Sequence, residues 1–158
     1  MAVDYYLKLD SIEGEAVTAG FEKQVQLLSF SWGGSNVSSV AGTGGSGAGR
    51  VDLQDLTIMK NMDKATPAIF KALVSGTHIK TGVLQATKAG GNGKPFLKLS
   101  FEELFVTSHH ISASSEIPTE SVSFSYNHIR EEYWTQDEKG ILKAAGDVTY
   151  TLKENKVT

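Results

Sequence analysis

The sequence predicts a mainly β fold with one α-helix, arranged as a small β-barrel or sandwich. Two patterns lead to it. Apolar and polar residues alternate strictly in many short runs, and a single stretch between a proline and a glycine carries helical spacing. The 158 residues suffice for one domain with a sizeable core, expected to span 1–158.

The elements follow in order. Val3, Tyr5, Leu7 and Leu9 alternate with Asp4, Lys8 and Asp10, as in a half-buried strand. Leu28, Phe30 and Trp32 alternate with Ser29, Ser31 and Gly33, and the apolar set is assigned to the core. Between Arg50 and Met62 the phase switches, from Val51 and Leu53 to Leu56, Ile58 and Met62, which predicts a bulge or bend near Gln54-Asp55. Thr66 is a candidate N-cap and Pro67 suits the first helical position. Ile69, Phe70, Leu73 and Val74 then share one helical face, and Gly76 is placed to end the helix. A β-branched run follows from Ile79 to Ala89, and Leu97, Leu99, Phe101 and Phe105 oppose Lys98, Ser100 and Glu102. Val122, Phe124 and Tyr126 alternate with Ser121, Ser123, Ser125 and Asn127, which adds Phe124 and Tyr126 to the expected core. Val148, Tyr150 and Leu152 close a series of about seven or eight strands. Loops are expected at Ala41 to Gly49, at Ala89 to Pro95 as a hairpin turn, at Ser108 to Thr119, and from Gln136 to Gly140.

Composition excludes several functions. The formal net charge is -3 and no basic run occurs, which argues against nucleic acid. The absence of cysteine rules out disulfides, thiol catalysis and Cys-ligated zinc. The start, Met1-Ala2-Val3-Asp4-Tyr5, lacks the basic and apolar regions of a cleavable signal, and no window has the roughly 18 apolar residues of a membrane span. Expectation is therefore synthesis in the cytosol, no membrane insertion, and, if the protein leaves the cell, export by a route that reads no cleavable signal.

Chemistry-bearing motifs are missing. The glycine-rich stretch ends Gly49-Arg50-Val51-Asp52 and continues as a strand, without the Lys-Ser or Lys-Thr pair and helix of a phosphate loop. His109 and His110 are neighbours that point to opposite faces, so the expectation is solvated histidines and no metal site. Glu102-Glu103 and Glu131-Glu132 split between faces in the same way, and no nucleophile elbow is present. No catalytic residue, cofactor or metal is expected. The unusual feature is a set of small uncharged stripes: Ser29, Ser31 and Gly33; Ser121, Ser123, Ser125 and Asn127; Thr149 and Thr151. An ordinary solvent face carries Lys and Glu, whereas such a wall suits contact with varied partners. A carbohydrate-binding β-module is the alternative, with Tyr133 and Trp134 as its only candidate platform; a hydrolase with an unrecognised site is the third class weighed.

Several stretches, in order along nearly the whole chain, resemble the haemolysin-coregulated protein (Hcp) family of the bacterial type VI secretion system. They are Asp4-Tyr5-Tyr6-Leu7-Lys8-Leu9-Asp10 with Ile12-Glu13-Gly14-Glu15, then Leu28-Ser29-Phe30-Ser31-Trp32-Gly33. Next come Gly49-Arg50-Val51-Asp52-Leu53-Gln54-Asp55-Leu56, Lys60, Asp63-Lys64-Ala65-Thr66-Pro67, Ser75-Gly76-Thr77-His78, Lys88-Ala89-Gly90-Gly91 and Gly146-Asp147-Val148. The resemblance implies a small β-barrel of two packed sheets with one flanking α-helix. It also implies homohexameric rings that stack into a tube inside a contractile sheath, carry effector proteins in the lumen, meet a spike-tip protein, and are themselves secreted, with roles in virulence or defence. Ala16 stands where many relatives have Ser, and the 41–49 loop is richer in glycine than usual. Because the chain ends at Thr158, a fused toxin domain is not expected.

The stripes and the position of the matching strands together assign Ser29, Ser31, Ser123 and Ser125 to the lumen wall and effector contact. Gly42, Thr43, Gly44, Gly45, Ser46, Gly47 and Gly49 form the expected ring-stacking loop, which should be mobile in free rings because glycines are costly to order. Trp32, expected in the core, provides a first test. Trp32→Ala should cost about 3–5 kcal/mol in urea unfolding, and an unchanged midpoint would place it elsewhere.

Overall fold

The alternating runs become antiparallel ladders around one apolar core. The computed structural model describes residues 2–36, 51–88 and 93–158. Its elements are β1 (Val3–Leu9), β2 (Val25–Leu27), β3 (Ser29–Ser31), β4 (Gly34–Asn36), β5 (Val51–Leu53), β6 (Leu56–Asn61), α1 (Thr66–Ser75), β7 (Ile79–Lys88), β8 (Leu97–Ser112), β9 (Thr119–Ser125), β10 (His128–Gln136), β11 (Leu142–Thr151) and β12 (Lys156–Val157). A first sheet runs β12-β11-β10-β8-β7-β1-β2, a second runs β3-β6-β9-β8, and β4 with β5 forms a separate ribbon. The fold is mainly β, with two packed sheets and one flanking helix. Among the described residues the sheets are joined along β8 and do not form one continuous cylinder of strands.

β8 serves both sheets because its backbone turns midway. Leu97 to Glu102 pair with β10, Leu97 to Leu104 pair with β7, and Phe105 to Ser112 pair with β9. The turn falls at Glu103, whose φ of 55° is left-handed and uncommon for a residue with a Cβ. This turn breaks the alternation. Leu99 and Phe101 are buried before it, Leu104 and Val106 after it, and Phe105 is only half-buried, contrary to the expected run. Glu102 and Glu103 both end up exposed and do not split between faces. The strand continues through His109 and His110 to Ser112, so the expected loop shortens to 113–118.

The core draws Leu7, Val25, Leu84 and Leu99 from the first sheet, Leu56, Ile58, Val122 and Phe124 from the second, and Ile69 from α1. A second break of phase occurs where the chain passes from one sheet to the other between β2 and β3. Val25 and Leu27 face inward, Phe30 and Trp32 resume that phase, and Leu28 at the junction is 53% exposed. Leu28 is therefore not a core residue. Its N–H donates to the Met59 carbonyl across 2.7 Å, and its side chain points away from the core. Phe124 is fully buried and Tyr126 nearly so, while Phe30 and Trp32 are half-buried against the core. The Trp32 Nε1–H donates to the Tyr126 hydroxyl at 2.5 Å, and that hydroxyl donates to the Gln54 carbonyl at 2.7 Å. This relay secures the bend at Gln54-Asp55 between β5 and β6.

The helix keeps its expected position but rotates its buried face. Thr66 is its first residue, not its cap; Ala65 precedes it and makes no side-chain capping bond. Thr66, Ile69 and Ala72 are buried, whereas Phe70 and Val74 are 53% and 66% exposed. Three-residue spacing wins because Thr66 has polar partners beneath the helix. Gly76 ends the helix at φ 63°.

Two adjacent leucines test the junction. Leu27→Ala should cost about 2–5 kcal/mol in denaturant unfolding, and Leu28→Ala should stay within about 0.5 kcal/mol of the parent. The reverse order would contradict the phase change.

Candidate functional site

Cross-strand register brings the predicted serines together. Ser31 faces Thr57 on β6, Thr57 faces Ser123 on β9, and Ser123 faces Ser108 on β8. The neighbouring row is Ser29, Met59, Ser121 and His110. Ser29, Ser31 and Ser123 thus occupy one outer face of the second sheet, and Ser125 lies farther along β9 on the same side, opposite Phe105. Thr57 and Ser123 share a hydrogen bond of 2.9 Å between their hydroxyls. Both rows lack Lys, Arg, Asp and Glu. Rows on the outer face of the first sheet differ: Arg130, Ser100, Val83 and Lys8, then Asp147, Glu132, Lys98 and Gln85. Arg130 there donates to Asp147 at 3.0 Å. The two central rows of the second sheet's outer face are therefore uncharged and mostly hydroxylated, whereas those of the first sheet carry mixed charge. A protein surface sliding over the first kind has no fixed charge to desolvate or to be repelled by.

Behind this uncharged face lies a buried charge cluster. Lys60 and Glu120 are fully buried and paired on β6 and β9. The Lys60 Nζ also lies 2.9 Å from the Asp63 Oδ1, and the Thr66 hydroxyl donates to the Glu120 Oε2 at 2.8 Å. The His109 Nε2 lies 2.6 Å from the Glu120 Oε1, and its side chain is 4% exposed. His109 is thus a core partner, contrary to the solvated pair expected, because β8 extends beyond the predicted loop and places it in register with Val122. Burial opposes ionisation of Glu120, but hydrogen bonds from Lys60, His109 and Thr66, with the Lys60 charge, together hold its carboxyl below the usual value of 4.5. The cluster ties α1 to three strands through its first residue.

Sequence reasoning missed this cluster, although a signal was present. Lys60 shares the phase of Leu56 and Ile58, and Glu120 that of Val122 and Phe124. Opposite charges at inward positions of two strands mark a buried pair.

Other candidates do not converge. Tyr133 is exposed and meets Phe96 edge-on at 6.4 Å, while Trp134 is its neighbour along the strand, so the two do not build a flat sugar platform. Among the described residues no group of three His, Asp or Glu is placed to hold a metal, and no helix is long and apolar enough to cross a membrane. The glycine-rich stacking loop, Gly42, Thr43, Gly44, Gly45, Ser46, Gly47 and Gly49, lies outside the described residues.

Comparison with known proteins shows the family and the fold. The family described as type VI secretion system effector, Hcp, matches residues 6–133. Protein hcp1 of Pseudomonas aeruginosa is 34% identical over 153 residues, covering 95% of this chain and 94% of that protein. A solved type six secretion system protein superposes with a TM-score of 0.93 at 29% identity, over 99% of this chain and 100% of the other. Hcp1 from Salmonella typhimurium superposes with a TM-score of 0.79 at 29% identity, covering 100% of both chains. The class these similarities define is that of secreted structural proteins of type VI secretion systems, not enzymes. This chain belongs to the Hcp family.

The cluster makes two predictions. Lys60→Met alone should cost about 3–5 kcal/mol because it removes the principal partner of a buried carboxylate, whereas Lys60→Met with Glu120→Leu should recover most of that loss. A double variant no better than the single would show that the pair is not a unit. The folded state holds the Glu120 proton less tightly than the unfolded chain does, so acid favours unfolding. Stability should fall as pH drops below 4.5, and less steeply in Glu120→Gln. Equal acid slopes in calorimetry would contradict this assignment.

Proposed function

We propose that this chain is the ring-forming subunit of the type VI secretion inner tube: six copies close into a ring, rings stack within a contractile sheath, and effectors travel in the lumen. The observation that carries this reading is the uncharged outer face of the second sheet, with Ser29, Ser31 and Ser123 at its centre and Ser125 at its margin. Such a face suits a channel wall, where cargo of varied charge must pass without sticking. The charged face of the first sheet then turns outward, toward sheath and solvent. Family membership supports the same reading.

A closed ring uses two different patches on each subunit, joined head to tail. The glycine-rich 42–49 loop contacts the next ring, and the spike-tip protein caps the stack. The protein leaves the cytoplasm with the tube and needs no cleavable signal.

Sedimentation velocity with negative-stain imaging tests the ring, which should sediment as a hexamer and show six-fold annuli. A monomer from micromolar to millimolar concentration would refute it. Ser31→Arg tests the lumen: rings should form as before, while co-purification of effector cargo falls at least tenfold. Undiminished cargo in intact rings would remove Ser31 from the channel wall.

A further inference from the structure

The two margins of the second sheet carry apolar side chains that this chain leaves uncovered. The strand order β3-β6-β9-β8 puts β3 at one margin. The other margin is the second half of β8, beyond its last pairing with β7 at Leu104. One cross-strand row links the two. Lys60 faces Glu120, Glu120 faces Ile111, and Leu28 ends the row beside Lys60, because the next residue, Ser29, faces Met59. The middle of this row is fully buried, yet Leu28 and Ile111 at its two ends are 53% and 54% exposed.

Each end belongs to a larger patch. The Phe70 ring on α1 stands 6.1 Å from the His109 ring, and His109 lies two residues before Ile111 on the same side of β8. Val74 follows Phe70 one helical turn later. Both are exposed, so the β8 margin presents a strip of three large apolar side chains. At the β3 margin Leu28 lines a cleft of about 270 Å³. The apolar lining of that cleft is Ala16, Leu27, Leu28 and Met62, and its other lining residues are polar.

We infer that these margins meet between neighbouring copies in the ring, with Leu28 of one copy covered by Ile111 and Phe70 of the next. Three observations select a second copy as the occupant. The two exposed aliphatic residues end the same row, so copies set side by side bring them together as its continuation. The uncharged rows run to the same margins, from Ser31 to Ser108 and from Ser29 to His110, so the joint extends that wall without a charged seam. A closed ring needs two unlike patches on each subunit, and these are unlike. The inference rests on the ring reading and supplies the contact within a ring, not between rings.

The chain contains no cysteine, so disulfide coupling tests the contact without background. Leu28→Cys with Ile111→Cys, mildly oxidised after assembly, should give a non-reducing ladder that ends at six. Within one copy these positions lie about 14 Å apart, three strand spacings, whereas a disulfide needs Cα atoms within roughly 7 Å. Each single variant should stay uncoupled, because the contact joins unlike residues. Phe70→Glu should keep the parent's circular dichroism and lower the hexamer fraction at least tenfold in sedimentation, and adding Leu28→Lys should restore it. Intact rings that give no ladder, bands beyond six, or a single variant that couples as well as the double would overturn this contact and leave the ring standing. Undiminished rings in Phe70→Glu would do the same. A parent protein that forms no rings would overturn both.

Discussion

Everything in this fold depends on β8 belonging to two sheets. The 16 residues of β8 do not stay in one sheet, and the left-handed residue at Glu103 lets its second half pair with β9 instead of β10. A single backbone angle thereby sets which side chains enter the core on either side of it. It also separates the molecule's two outer surfaces, one uncharged and one charged. A matching break at Leu28 on the β2–β3 side lets the opposite wall change sheet.

The buried charges make sense within that constraint. Where the second sheet meets α1, an all-apolar junction would permit the helix to slide. Lys60, Glu120, His109 and Thr66 bond only in one register, and breaking any one of them leaves buried charge or polarity unmet. The rotation of the helix, with Phe70 and Val74 outward, follows from placing Thr66 over Glu120. Structure is thus traded between levels: helical amphipathicity yields to a polar anchor, and the exposed Phe70 and Val74 remain as an apolar strip on the surface.

Much of this was legible in the sequence, and the failures share one cause. Alternation located the strands and the core positions Phe124 and Tyr126, and the phase switch at Gln54-Asp55 predicted a true break between β5 and β6. Proline and glycine bracketed α1 correctly. Alternation misplaced Leu28, Phe105 and Glu103, all of which sit where a strand changes sheet and the period of two is interrupted. It also misread His109, since a polar run of Ser and His looks like loop until its partner strand β9 is known. The serine stripes were visible as single strands, but their union into one face required cross-strand register, which no single run encodes.

The central claim is that the uncharged face of β3, β6 and β9 looks into a shared hole. Electron cryomicroscopy of the purified protein tests it most directly. The account predicts a six-fold ring whose inner wall carries Ser31, Thr57 and Ser123, with Arg130 and Lys98 on its outside. A ring whose hole is lined by Arg130, Lys98 and Glu132 would contradict it.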